Sequence, residues 1–112
     1  MRVLLQNDYL EVRTASLLAD YDRSIITNLY QPIIGFTALA LYFNLWTESE
    51  NQRLGSLVNH GDVFKRMGLS ASKFVDARKA LEGTGLLRTY INTVGDTSIY
   101  TYILYAPKQP KK

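Results

Sequence analysis

Between Ser24 and Thr47 the chain runs for 24 residues without one charged side chain. A helix needs about 20 predominantly apolar residues to cross a bilayer, so length and composition alone permit a span. Pro32 and Gly35 oppose it. Proline lacks the N–H that closes a helical hydrogen bond, and its ring crowds the preceding turn. It also drives the residue before it, Gln31, out of helical geometry. The stretch therefore predicts two helices with a corner between them. The first covers roughly residues 20–30, with Asp20 or Asp22 as an acidic N-terminal cap, and the second roughly residues 35–50. Each half is too short to span, and Thr27, Asn28, Gln31, Thr37 and Asn44 interrupt the apolarity.

The second of these helices is apolar nearly all round. On a helical wheel Phe36, Leu39, Ala40, Phe43 and Trp46 share one face, and Ala38, Leu41 and Leu45 share another. Such a helix is buried on more than one side. It is the central helix of the core, or it lends part of its surface to a partner chain, or both.

A chain of 112 residues has the size of one domain, and 46% hydrophobic residues suffice for a core. There is no cysteine, so neither a disulfide framework nor a thiolate metal site is available. The N-terminal MRVLLQNDYLEVR has three apolar residues in a row, too few for a secretory signal. The formal charge of +3 equals the three lysines of the tail, Lys108, Lys111 and Lys112. The tail APKQPKK contains two prolines and reads as the start of a solvated linker. The expected organisation is one domain over residues 1–106 and a linker or tail over 107–112. Residues 60–90 hold six basic and three acidic side chains, a mild basic bias only.

Beyond His60 the pattern changes. HGDVFKRMGL predicts a short helix with Val63, Phe64 and Met67 inward, ended by Gly68. Ser70 suits the N-cap of a longer helix over 71–82, and Gly83 suits its stop. GLLRTYI and TSIYTYILY read as strands around a Gly95–Asp96 tip. Helix, tight turn, helix and hairpin make a winged helix, to which YLEVR near the N-terminus adds a strand. The expected class is α+β: a mainly helical winged helix-turn-helix with a C-terminal β-hairpin and an added N-terminal strand.

In the last strand Ile99, Thr101, Ile103 and Tyr105 share one face, and Tyr100, Tyr102 and Leu104 the other. Neither face is polar, whereas a hairpin with a solvated face alternates. One face is thus expected to pack on the N-terminal segment or on another chain. Tyrosine, apolar in body and polar at its tip, suits such contacts.

Catalytic patterns are few. His60 is the only histidine and is read as a surface loop residue. Gly83-Thr84-Gly85 follows a helix, not a strand, so it lacks the setting of a phosphate loop. No enzyme, metal site or cofactor is expected. For DNA binding, the outward positions of the second motif helix are Ser72, Lys73, Asp76 and Lys79, with a net charge of only +1. That face offers no Asn, Gln or Arg for bidentate base readout. Arg78 falls nearer the apolar arc, where it is expected to pair with an acid. Lys65, Arg66, Lys73, Lys79 and Arg88 are the candidates for phosphate contact.

The run 18–35, LADYDRSIITNLYQPIIG, followed by ALYFNLW over 40–46, resembles the N-terminal domain of the Gram-positive DnaB family. These are replication initiation and membrane attachment proteins, helicase loaders related to DnaD. A second block, ARKALEGTGLLRTY over 77–90, is partly general to winged helices. The resemblance covers nearly the whole chain. It implies a self-associating winged helix, dimeric or tetrameric, from a cytoplasmic primosome protein. The initiator, a DnaD-like protein and the replicative helicase are the implied partners. The family's further C-terminal region, with its Tyr/Ile/Trp motif linked to single-stranded DNA, has no match after Tyr105, so an N-terminal piece of a longer protein is expected.

The leading expectation is therefore a self-association and protein-interaction module of a replication initiation protein. Its contact surface is expected on the N-terminal strand (Val3, Leu5, Tyr9) and the hairpin (Tyr90, Tyr100, Tyr102, Leu104). The alternative is a domain that contacts duplex DNA through its third helix and wing. Membrane contact is at most peripheral, because three tail lysines at roughly 1 kcal/mol each give marginal attachment.

Overall fold

The computed structural model describes residues 7–52 and 58–108. In chain order these form β1 (Tyr9–Thr14), α1 (Asp20–Ile25), a π-helical turn (Ile26–Tyr30), α2 (Gln31–Gln52), β2 (Val58–Asn59), α3 (His60–Met67), α4 (Ala71–Gly83), β3 (Leu87–Val94) and β4 (Thr97–Leu104). One four-stranded sheet has the order β2-β1-β4-β3. The helices lie on one of its faces. The architecture is the α+β winged helix expected, with the N-terminal strand added beside the hairpin.

The corner falls at Gly35, at the end of the predicted corner, and not at Pro32. Gln31 is helical (φ −54, ψ −42) although Pro32 follows it. The π turn explains this. The Gln31 N–H bonds back to the Ile26 carbonyl, one residue further than in an α-helix. The wider turn gives the proline ring room and carries the helix through it. The break comes at Gly35 (φ 83, ψ 163), a conformation that only glycine adopts without strain. At the start of α1 the residue in the N-cap position is Ala19, not an aspartate. Asp22 is the third helical residue, and its buried carboxylate accepts from the Ala19 N–H at 2.8 Å.

By length and composition the helical stretch Asp20–Gln52, whose most apolar 18 residues have a mean hydropathy of 1.3, is long and apolar enough to cross a membrane. Only 17% of its most apolar 18 residues is buried, so the stretch is not the core throughout. The Gly35 break divides it. After the break, Ala38, Leu41, Tyr42 and Leu45 are fully buried. On either side of the break, Leu29, Ile33 and Phe36 are exposed, the last two by about three quarters (74% and 76%). Phe36 and Ala40 thus point outward, and the inner stripe of α2 is the one containing Leu41 and Leu45.

The helix-turn-helix is framed by its caps. Asn59 and Asp62 exchange side-chain-to-backbone bonds at the start of α3 (3.0 and 3.2 Å). At its end Gly68 is left-handed, and the Leu69 N–H reaches the Phe64 carbonyl at 2.9 Å. The Ser70 hydroxyl accepts from the Lys73 N–H and opens α4. Gly83 lies inside α4. The left-handed residue that ends it is Gly85, with Leu86 N–H on the Leu81 carbonyl at 3.1 Å. At the hairpin tip Gly95 has φ 61, which suits the first central position of a two-residue turn.

β4 is the central strand, parallel to β1 and antiparallel to β3. Tyr100, Tyr102 and Leu104 turn inward with Leu10, Val12 and Leu87 and meet Phe74 and Leu81 of α4 and Leu41 and Leu45 of α2. Two polar ties lock α2 to this frame. The Gln52 side chain accepts from Val12 N–H at 2.8 Å and donates to the Leu10 carbonyl at 3.1 Å. It imitates a neighbouring strand along the edge of β1. Arg66 donates to Glu48 at 2.6 Å and to Asn44 at 2.9 Å, which joins α3 to α2. Glu48 is almost wholly buried, and a buried carboxylate requires such a partner.

His60 is fully buried, which corrects the surface-loop reading. Its Nδ1 lies 2.7 Å from the Asp8 carbonyl oxygen, which can only accept, so Nδ1 carries the proton. The other nitrogen, Nε2, is then the acceptor for the Tyr102 hydroxyl at 2.6 Å. The ring sits among Phe64, Phe74 and Tyr100. Burial lowers its pKa, and the nearby Arg78 works the same way against the opposing pull of Asp8. The same burial raises the Tyr102 phenol, so the hydroxyl keeps its proton. One imidazole thus fastens the start of β1 to β4 and α3.

Candidate interaction surface

The strand alternation that buries Tyr100, Tyr102 and Leu104 exposes the residues between them. The register gives three rows across the outer face. Tyr9, Ile99 and Asn92 form the first, Glu11, Thr101 and Tyr90 the second, and Arg13, Ile103 and Arg88 the third. Tyr9, Ile99 and Tyr90 are 40%, 36% and 52% exposed, and among the described residues no helix covers them. Charge collects at one end. Arg13 pairs with Glu11 at 2.9 Å, and Arg88 lies over the Tyr105 ring at 5.7 Å. A hydrogen bond to Tyr90 raises the pKa of Arg88 further. Tyr9, Ile99 and Tyr90 leave an uncovered apolar patch toward the other end, next to Glu11 of the middle row.

The sequence-predicted contact residues divide accordingly. Tyr9 and Tyr90 stand on this outer face. Tyr100, Tyr102 and Leu104 do not; all three are at most 1% exposed and belong to the chain's own core, so they are withdrawn as surface residues. Val3 and Leu5 lie outside the described residues. Ile99 and Ile103 were missed as site residues, although the strand's alternation put them opposite the tyrosines. A second apolar surface, Leu29, Ile33 and Phe36 at the Gly35 corner, escaped notice because the wheel assigned Phe36 to a buried stripe.

The cation candidates are dispersed. Lys65, Lys73, Lys79 and Arg88 are exposed, as expected. Arg66 is committed to Glu48 and Asn44. Lys73 lines a groove of about 270 Å³ between α2 and α4, together with Asp76, Ile34, Thr37, Ala38, Ala77 and Ala80. Arg78 leaves the outer face of α4, as its position on the wheel predicts, and pairs with Glu82 at 3.9 Å. The outward side of α4 therefore sets Lys73 and Lys79 against Asp76, a net charge of only +1, and its flank faces α2.

These features define a class first: a winged helix elaborated with a helical corner and an N-terminal strand, whose uncovered sheet face carries an exposed patch of tyrosine and isoleucine. The chain matches the family described as the DnaB N-terminal winged helix domain over residues 5–112, and it belongs to that family. It is a domain of a DNA replication initiation protein. Its fold is similar to a crystal structure of primosome protein DnaB (residues 1–300) from Geobacillus stearothermophilus, with a TM-score of 0.86 and 35% sequence identity. The match covers 93% of this chain and 40% of that one.

Proposed function

We propose that this domain is the self-association and protein-interaction module of a primosome, helicase-loading protein. The observation that carries the reading is the outer sheet face, where Tyr9, Ile99 and Tyr90 stand exposed in adjacent rows, with Glu11, Arg13 and Arg88 toward one end. Exposed apolar surface of this kind, rich in tyrosine, fits a protein contact. The initiator, a DnaD-like protein and the replicative helicase are the partners the family relationship suggests. The cell compartment that fits such a role is the cytoplasm, with any membrane contact peripheral and made through the full-length protein.

The opposite side of the molecule favours this over duplex reading. A recognition helix whose outward charges nearly cancel gains little from phosphate attraction. Light scattering of the chain from micromolar to near-millimolar concentration tests the reading, which expects a multiple of the single-chain mass of 12.7 kDa. A single-chain mass throughout would overturn it. A duplex titration at low salt, repeated with Lys73→Glu and Lys79→Glu, tests the DNA alternative. The expected result is weak binding that neither change alters.

A further inference from the structure

The two edges of the sheet differ in kind. Beside β1 lie the two-residue β2 and the Gln52 amide, which satisfies backbone groups of Leu10 and Val12. At the other end β3 runs for eight residues, and no strand pairs with its outer side among the described residues. β3 contains no proline or lysine, residues that commonly blunt an edge, and its one charged residue is Arg88 near its start. Val94 and Thr97 flank the two-residue turn, so they form a hydrogen-bonded pair, and such pairs recur at every second residue. The Tyr105 N–H on the Leu86 carbonyl at 2.9 Å continues the same phase. Thr89, Ile91 and Thr93 therefore turn their N–H and C=O groups to the free edge.

We propose that this edge pairs, antiparallel, with β3 of a second copy of the chain, joining two four-stranded sheets about a two-fold axis at Ile91. The proposal rests on the self-association reading and adds an edge contact to the one on the outer face, which edge pairing leaves uncovered. With Ile91 opposite Ile91, each copy's Thr89 faces the other's Thr93. Threonine pairs and β-branched pairs are favourable across strands. The Thr89 hydroxyl is buried without a hydrogen-bond partner, and rotation about χ1 turns it toward that threonine. In this register Leu87 faces Gly95 of the second copy. That end of β3 borders a depression of about 320 Å³ lined by Glu82, Leu87, Arg88, Thr89 and Tyr90, which leaves room for the hairpin tip at Gly95. On the outer face Arg88 lies diagonal to Asp96 of the second copy, so opposite charges meet twice across the axis. The outer face then continues from one copy to the next, with Tyr90 of each opposite Asn92 of the other.

The chain has no cysteine, so one introduced thiol reports on one position. Ile91→Cys places two thiols at a hydrogen-bonded pair, with Cα atoms about 5.5 Å apart, within disulfide range. Asn92→Cys places them on a diagonal at about 7–8 Å, beyond it. Mild oxidation at micromolar protein should link Ile91→Cys at least tenfold faster than Asn92→Cys. Ile91→Pro removes an outward N–H on an edge strand, where proline is tolerated, and should raise the dissociation constant at least tenfold with unchanged circular dichroism. Equal cross-linking at both positions, or an unaltered dissociation constant in Ile91→Pro, beside a wild-type mass above one chain would overturn the edge pairing and leave self-association standing. A wild-type mass of one chain would overturn both.

Discussion

The two faces of β4 read alike in the sequence and do opposite things in the fold. Tyr100, Tyr102 and Leu104 bury against α2 and α4, while Ile99, Thr101 and Ile103 look out between β1 and β3. A strand with one solvated face normally carries polar residues on it. When both faces are apolar, one of them is committed inside the chain and the other is left for something outside it. Alternation separates the two faces, but only the position of α4 decides which is which.

The largest expected effect lies on the inner face. Tyr102→Ala removes a fully buried ring and leaves the His60 Nε2 without its donor. A loss of about 3–5 kcal/mol is expected, read by urea denaturation. Tyr90→Ala on the outer face should change stability by no more than about 0.5 kcal/mol. Equal losses would erase the distinction between the faces.

The second effect is confined to the inner face and depends on pH. The His60 pKa is lowered in the fold, chiefly by burial, so the unfolded chain takes up this proton first as pH falls. Above the ordinary value of 6.5 both states are neutral and the histidine contributes no slope. Below it, stability falls until the pH passes the lowered folded value. Asp8, Arg78, Tyr100 and Tyr102 surround or neighbour the ring, and Glu82 pairs with Arg78, so the variant must leave them in place. In His60→Gln the fall beginning at 6.5 should be flattened relative to wild type. An identical slope in the two proteins would count against the buried neutral imidazole.

Much of this was legible in the chain. The caps at Ser70 and Gly68, the Gly95–Asp96 tip and the added N-terminal strand are local signals, and they appear where the sequence puts them. What stayed hidden depends on distant partners. His60 is buried because Asp8 and Tyr102 reach it from 52 and 42 residues away. Glu48 can sit inside because Arg66 arrives from α3. Gln52 acts as a strand neighbour only once β1 lies beside it. The helix passes Pro32 through a π turn, an adjustment that proline chemistry alone does not announce. For the interaction surface, period-two alternation gave the correct grouping of side chains, but choosing the tyrosine-rich face put Tyr100 and Tyr102 on the wrong side.

The smallest expected effect on stability is also the most informative about function. Ile99→Glu puts a charge in the centre of the outer band, beside Tyr9 and Asn92, and far from the core. Its unfolding free energy should stay within about 0.5 kcal/mol of wild type. Sedimentation equilibrium of the two proteins side by side, over the same micromolar range, addresses the central claim most directly. The account predicts a mass above 12.7 kDa for wild type and a shift toward that single-chain value for Ile99→Glu. Identical masses for the two proteins at every concentration would contradict it.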